Sequence, residues 1–175
     1  IAGVDKVIRV TAGADAGPVA ALLAPQVAEM ATGYTHVFGP STTFGKDLMP
    51  RVAGLLGVGQ LSDVMSADSA YQFQRPISAG TAIVTVTAPE DRILVATVRT
   101  ASYAAAEEGG SAAVESASSS AGLPDHTRFV ELRSASSDRP DLQTAAKVIS
   151  GGRALASAEN FEILYKLADT MSAAV

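Results

Sequence analysis

The chain has 175 residues, 13 Lys plus Arg against 18 Asp plus Glu for a net charge of −5, 47% hydrophobic residues and no cysteine. That length allows one domain, or one and part of a second, and a core that needs no covalent staples. The lack of cysteine excludes disulfides, thiolate metal sites and a cysteine nucleophile, and the acidic balance disfavours nucleic acid, whose phosphates require a basic face. Apolar runs such as Val19–Leu23 and Ile93–Ala96 fall far short of the roughly 18 residues needed to cross a bilayer, so a soluble protein is expected. Residue 1 is Ile, with no basic region and apolar core of a targeting peptide, and the last helical pattern runs into Val175 without a stop signal. Both ends are therefore expected to be cut.

Val4, Val7, Ile8 and Val10 form a β-branched run bounded by the Gly13–Gly17 stretch, which predicts a strand. Pro18–Met30 follows with Val19, Leu22, Leu23, Val27 and Met30 at helical spacing. Pro25 removes an amide donor inside that helix and should break it or make it restart. Tyr34–Phe38 predicts a second strand, Gly39–Gly45 a loop, and Lys46–Leu56 a second helix in which Pro50 is tolerable only near the first turn. Strand, helix, strand, helix in this cadence implies parallel pairing and an α/β layer.

The pattern then changes. Gln60–Val64, Tyr71–Arg75, Thr81–Thr87 and Arg92–Thr100 all predict strands, with Pro89-Glu90-Asp91 as a turn joining the last two in antiparallel fashion. The expected fold is thus a Rossmann-like mixed sheet flanked by helices, parallel first and antiparallel later. Residues 101–122 are dominated by Ala, Ser, Gly and Glu and predict a linker or long surface loop, because such a segment buries too little to offset its ordering entropy. Beyond it, Arg128–Arg133 alternates as an edge strand would, Ser137-Asp138-Arg139-Pro140 carries turn chemistry, and Lys147–Ser150 predicts a last strand leading into Gly151-Gly152-Arg153. Ser157 is expected to cap a helix with an apolar face of Phe161, Leu164, Tyr165, Ala168 and Met171.

Most constellations that could carry chemistry fail when tested. Gly39 to Lys46 lies between a strand and a helix like a phosphate loop, but it is one residue too long and has Asp47 where a magnesium-binding hydroxyl belongs. A loop with Thr42 or Thr43 capping the next helix is the preferred reading. No G-x-G-x-x-G follows a strand, which disfavours hydride transfer from a nicotinamide, and no G-x-S-x-G or paired carboxylates support a hydrolase. His36 and His126 are the only histidines, and neither has a carboxylate or second His at ligand spacing. His36 reads as a packed or interface residue and His126 as solvated, with a general-base role as the weaker alternative for each. No catalytic residue and no metal site is expected. The segment Gly151-Gly152-Arg153 is the better candidate, because small residues admit a close ligand, a following helix end presents free amides, and a guanidinium binds phosphate through two parallel hydrogen bonds. A tight turn with an exposed Arg remains the alternative.

Six blocks taken together resemble one family: Thr35-His36-Val37 with Ser41 to Arg51, Leu61-Ser62-Asp63, Arg75 to Gly80, Val98 to Ser102, and Ser137 to Pro140 with Val148 to Arg153, closed by Ser157 to Tyr165. In this order they are similar to the alpha-subunit family of electron transfer flavoproteins. The resemblance implies an N-terminal α/β domain over residues 1–133 and the start of a C-terminal FAD-binding domain over 134–175, with the boundary near Ser134 to Thr144. It also implies a heterodimer with a beta subunit, an FAD here and an AMP in the beta subunit. Electrons would arrive from acyl-CoA and related dehydrogenases of fatty acid oxidation and leave to a membrane quinone oxidoreductase, so the subunit would be a carrier and not a catalyst of a substrate reaction. Its setting would be the mitochondrial matrix in a eukaryote and the cytoplasm in a bacterium.

The family's Ser-Gly-Gly-Arg segment maps onto Ser150 to Arg153, which implies that Arg153 and Gly152 contact the FAD. Ala154 stands where the family usually has Gly, and its Cβ restricts the backbone there. The family's opening strand and helix and the rest of its FAD-binding domain are not represented in residues 1–175, so an incomplete FAD site is expected. Two other readings stay open: a stand-alone adenine-nucleotide-binding regulatory module without flavin, and a flavin-dependent oxidoreductase acting on its own small substrate.

Overall fold

In the computed structural model, which describes residues 1–11, 17–133, 138–142 and 144–175, the chain forms two units, Ile1–Glu131 and Leu132–Val175. The first contains β1 (Lys6–Val10), α1 (Ala20–Met30), β2 (His36–Pro40), α2 (Thr43–Leu56), β3 (Gln60–Val64), β4 (Ser66–Ala67), β5 (Gln72–Ile77), β6 (Ala82–Thr87), β7 (Leu94–Val98) and β8 (Ala113–Ala117). The α/β class and the opening strand–helix–strand–helix order are as the sequence predicts. The second predicted strand begins at His36 instead of Tyr34 and runs through Pro40. Of the Gly13–Gly17 stretch, residues 13–16 lie outside the described residues.

Parallel and antiparallel strands separate into different sheets. One sheet is parallel throughout, in the order β2-β7-β3; a second, β4-β5-β6, is antiparallel; a third pairs β1 with β8 in parallel. The expected antiparallel pairing of residues 81–87 with 92–100 is therefore corrected. β6 pairs with β5, from Gln72↔Thr87 to Ile77↔Ala82, whereas β7 enters the parallel sheet between β2 and β3. The physical reason is burial. Leu94, Val95, Ala96 and Thr97 are all buried, and such an uninterrupted apolar run suits a central parallel strand covered on both faces. The exposed, alternating β6 suits a surface hairpin.

Two apolar layers cover β7. On one side Met49 and Ala53 of α2 pack on Val95, and on the other Leu61, Val64, Phe73, Ala88, Leu94 and Ala96 pack together beneath the hairpin. Helix α1 lies on α2 through Ala20, Ala24, Leu48 and Val52. This packing explains two corrections at proline. α1 does not break at Pro25: the buried Gln26 donates its side-chain amide to the Leu22 carbonyl at 2.9 Å, one turn back, and tertiary packing outweighs the lost donor. α2 starts three residues earlier than expected, so Pro50 sits in mid-helix. Pro50 and Lys46, whose carbonyl loses its helical donor, are both exposed, which leaves that carbonyl to water.

The linker reading of residues 101–122 is also corrected, because the segment contains β8. Its pairing with β1 runs from Lys6↔Ala113 to Val10↔Ala117, and a Lys6–Glu115 ion pair of 3.4 Å adds to it. Beyond β8 the Glu29 carboxylate accepts hydrogen bonds from the hydroxyls of Ser119 and Ser120 and the amides of Ser120 and Ala121. These serine hydroxyls first, then the amides, hold the Glu29 carboxyl below its usual range. Backbone pairing and a carboxylate anchor order what side-chain burial alone could not. Arg128–Arg133, expected as an edge strand, forms none: Val130 and Leu132 are each 74% exposed, and alternation without a partner ladder makes no strand.

The second unit holds α3 (Glu162–Met171), preceded by 3-10 turns at Arg153–Leu155 and Glu159–Phe161. The predicted strand Lys147–Ser150 is reduced to one parallel bridge, Val148↔Ala174, with Ile149 N donating to Ala174 O at 2.9 Å and Ala174 N to Lys147 O at 3.0 Å. Ser157 does not cap α3, whose N-cap is Phe161 without a side-chain bond; the nearby Ser157 hydroxyl helps hold the Glu159 carboxyl below its usual range. Of the predicted helix face, Met171 is 41% exposed while Ala168 is buried. Within the predicted turn, Asp138 and Arg139 form a bend; Ser137, like the expected domain opening at Ser134, lies outside the described residues. Among the described residues no helix is long and apolar enough to cross a membrane.

The sheet's C-terminal ends are tied by polar bonds. Asp63, at φ 62 on a β3 irregularity, accepts from the Arg99 guanidinium, with Nε at 3.1 Å. Its amide donates to Thr97 Oγ1 at 2.9 Å, which also accepts from the Ser41 hydroxyl at 3.2 Å. The Arg99 hydrogen bond, with the charge of the same guanidinium, holds the Asp63 carboxyl below its usual range. A depressed carboxyl pKa contributes stability that is present above the unfolded-state pKa and lost as pH falls through the folded-state value. Asp63→Asn, which suits a left-handed backbone, is expected to lower the denaturant midpoint at pH 7. The gap to the parent should narrow progressively below about pH 4, and an equal gap at both pH values would refute the assignment.

Candidate functional site

The strand-like segment from Val148 to Ser150 delivers the chain into Gly151 and Gly152, which open a cleft of about 590 Å³ within the second unit. Gly152, Arg153, Ser157 and Ala158 line it together with the rings of Phe161 and Tyr165. Its size falls in the range of small-molecule sites, roughly 300–1,000 Å³. The two predicted binding residues, Gly152 and Arg153, thus share one cavity wall. Among the described residues the exposed Arg153 guanidinium has no carboxylate partner, in contrast to Arg92, Arg99 and Arg139, which each hold an Asp. A cation left over beside a cavity is available to an anionic ligand.

The two glycines do different work. A Cβ on Gly151 would lie 2.3 Å from Leu155 Cδ1 and 2.4 Å from Leu164 Cδ1, so its missing side chain is the space those leucines occupy. A Cβ on Gly152 would meet nothing within 4 Å, and its extended φ of −114° is open to any residue. Gly152 is therefore the glycine beside which a ligand has room. The chain leaving Arg153 departs from expectation, since no α-helix N-terminus follows. The 3-10 turn ends at Ala156, held at φ 65, and Asn160 Nδ2 binds the Leu155 carbonyl at 2.6 Å. Free helix amides therefore contribute nothing beside Arg153. Ala154 has no left-handed backbone to accommodate.

Sequence reasoning treated Phe161 and Tyr165 only as a packing face. Their four-residue spacing puts both rings on one side of α3, 6.2 Å apart and inclined by 42°, where they form the apolar wall of the cleft. The signal was that spacing within a dozen residues of Gly-Gly-Arg.

The other candidates are not brought to this cleft. His36 Nε2 faces the Ala70 carbonyl at 2.7 Å and Nδ1 the Thr35 hydroxyl at 2.8 Å, with Phe38 and Tyr71 against the ring. The carbonyl can only accept, so Nε2 carries the proton and Nδ1 takes the Thr35 bond in the neutral ring. His36 is thus held by a carbonyl, a hydroxyl and two flanking rings while its hydrogen bonds stay at the surface. His126 is exposed, with Nδ1 2.7 Å from the Thr127 hydroxyl. Thr42 caps α2 by accepting from Gly45 N at 3.3 Å. A Cβ on Gly45 would fall 1.8 Å from the Pro40 carbonyl, which assigns that glycine of the phosphate-loop candidate to helix–strand packing. Among the described residues no group of His, Cys, Asp and Glu could hold a metal ion.

Residues 1–121 match the family model of the electron transfer flavoprotein domain. The whole chain is 46% identical to electron transfer flavoprotein subunit alpha of Pseudomonas aeruginosa and 44% identical to that of Paracoccus denitrificans, covering 56% of each relative. A mitochondrial subunit alpha of Dictyostelium discoideum is 43% identical over 150 residues, 81% of this chain and 42% of that protein. The chain thus spans about half the length of the relatives it matches.

Substitution should separate the two glycines. Gly151→Ala is expected to cost about 1–3 kcal/mol through overpacking against Leu155 and Leu164. Gly152→Ala should leave the unfolding free energy from chemical denaturation within about 0.5 kcal/mol of the parent.

Proposed function

Because this chain belongs to the electron transfer flavoprotein family, we propose that it acts as the alpha subunit of an electron carrier in which Arg153 and Gly152 contact a bound FAD. The observation that carries this reading is the guanidinium without a carboxylate partner on a cleft with an apolar aromatic wall. An anionic phosphate group and flat rings are the chemistry of a flavin dinucleotide, and the cleft offers a complement to each. The planar fork of Arg153 would take two phosphate oxygens. Gly152 would admit the ligand close to the backbone, and Phe161 and Tyr165 would shield its apolar surface from water.

Bound FAD supplies the redox chemistry. The protein's part is to hold and orient it, and no side chain of the cleft is a proton-relay His or Cys, which supports a carrier over an enzyme with its own small substrate. In this proposal residues 1–133 form an N-terminal α/β domain and 134–175 open the FAD-binding domain. A beta subunit completes the heterodimer and holds the AMP. Acyl-CoA and related dehydrogenases of fatty acid oxidation donate electrons, and a membrane quinone oxidoreductase receives them. The setting is the mitochondrial matrix in a eukaryote and the cytoplasm in a bacterium; several relatives are named mitochondrial.

The test uses the full-length protein co-expressed with its beta subunit. The parent should purify yellow, and Arg153→Ala should weaken FAD retention at least tenfold, the order expected for losing a charged hydrogen-bonding pair. A parent that stays colourless after flavin is supplied but binds adenine nucleotide would favour the regulatory-module reading. An Arg153→Ala heterodimer with parental FAD affinity would remove Arg153 from the site.

A further inference from the structure

Arg139 is thirty positions before Asp169, yet its guanidinium meets that carboxylate as a fork, Nε to Oδ1 at 2.6 Å and Nη2 to Oδ2 at 3.0 Å. The same guanidinium lies over the ring of Tyr165, 4.8 Å from its centroid. Tyr165 and Asp169 are one turn apart on α3 and so share a face, which lets a single planar cation engage both. Tyr165 in turn lines the same cleft as Arg153, beside Phe161.

We infer that Arg139 is a positioning residue of the cleft: it holds Tyr165 as a fixed aromatic wall against which a planar nitrogen heterocycle of the bound flavin dinucleotide packs. This rests on the FAD reading above. A tyrosine at a cavity rim has ring orientations to lose on binding, and holding it in place beforehand reduces the entropy cost of capturing a flat ligand. Arg suits the task better than Lys because only a planar guanidinium can fork a carboxylate and present a face to an aromatic ring at once. The Arg139 hydrogen bond keeps the Asp169 carboxyl below its usual range, so the clamp stays charged across ordinary pH. The cleft then offers a phosphate-binding cation and a fixed aromatic surface together, the pairing that a dinucleotide uses.

Full-length heterodimer variants decide the matter by titration with FAD and, separately, with flavin mononucleotide, while flavin fluorescence and the melting temperature of the apo form are recorded. Arg139→Lys keeps the charge and loses the fork and the planar face; it should bind FAD roughly threefold to tenfold more weakly, with melting close to the parent. Tyr165→Leu should weaken FAD binding at least as much, and Tyr165→Phe, which keeps the ring, should recover most of that loss. If isoalloxazine is the ring that packs there, flavin mononucleotide binding and flavin fluorescence change as well; if adenine is, only FAD binding changes. Parental FAD affinity in both Arg139→Lys and Tyr165→Leu overturns the inference, as does a loss wholly matched by lower apo stability. Where those two variants bind normally but Arg153→Ala releases FAD, the clamp falls and the FAD reading stands. A parent that takes up no flavin removes both.

Discussion

Everything in the first unit depends on a strand with no exposed face. Val95 and Ala96 are 0% exposed and Thr97 1%, so β7 needs cover on both sides and hydrogen-bonded neighbours on both edges. α2 supplies one layer, with Met49 and Ala53 on Val95. The β5–β6 hairpin supplies the other through Phe73 and the residues around it. β2 and β3 take the two edges. Closing that arrangement fixes where the strand ends lie. It brings Ser41, Asp63, Thr97 and Arg99 together from positions far apart in the chain. Their hydrogen bonds to one another tie the strand ends together, so this cluster works as a strut.

The second unit follows a different logic. Its cleft has a cation that, among the described residues, has no carboxylate partner, an open side at Gly152 and two aromatic rings. Gly151 serves packing, because Leu155 and Leu164 fill the space a side chain would need. Adjacent and identical in sequence, the two glycines are unlike in role, and only the one facing open space bears on a ligand. In the first unit Arg99 is held by Asp63, whereas among the described residues Arg153 has no carboxylate partner on the cleft.

The errors made from sequence share a cause. Residues 101–122 have only Tyr103 and Val114 as large apolar side chains, both exposed, yet β8 forms because its backbone completes a ladder with β1 and Glu29 gathers the chain beyond it. Arg128–Arg133 has the alternation of a strand and no ladder to join. Pro25 and Pro50 reduce local helix stability, yet both helices continue because α1 and α2 are packed on each other. Pro89-Glu90-Asp91 turns the chain, but into another sheet and not into a hairpin. In each case the deciding partner is distant along the chain.

The sequence by itself determined what depends on neighbours in the chain: the strand–helix–strand–helix opening, the cap at Thr42, the apolar run that became β7, and Gly152 and Arg153 as side-by-side candidates. Those features follow from backbone sterics, side-chain period and local hydrogen bonding. Tertiary structure decided what depends on encounters across long separations. It chose β2 and β3 as the partners of β7, turned a low-complexity stretch into β8, set Phe161 and Tyr165 along the wall beside Arg153, and placed Arg139 against Asp169 and Tyr165. Burial and electrostatic pairing act through space, and composition carries no record of which distant group will meet them.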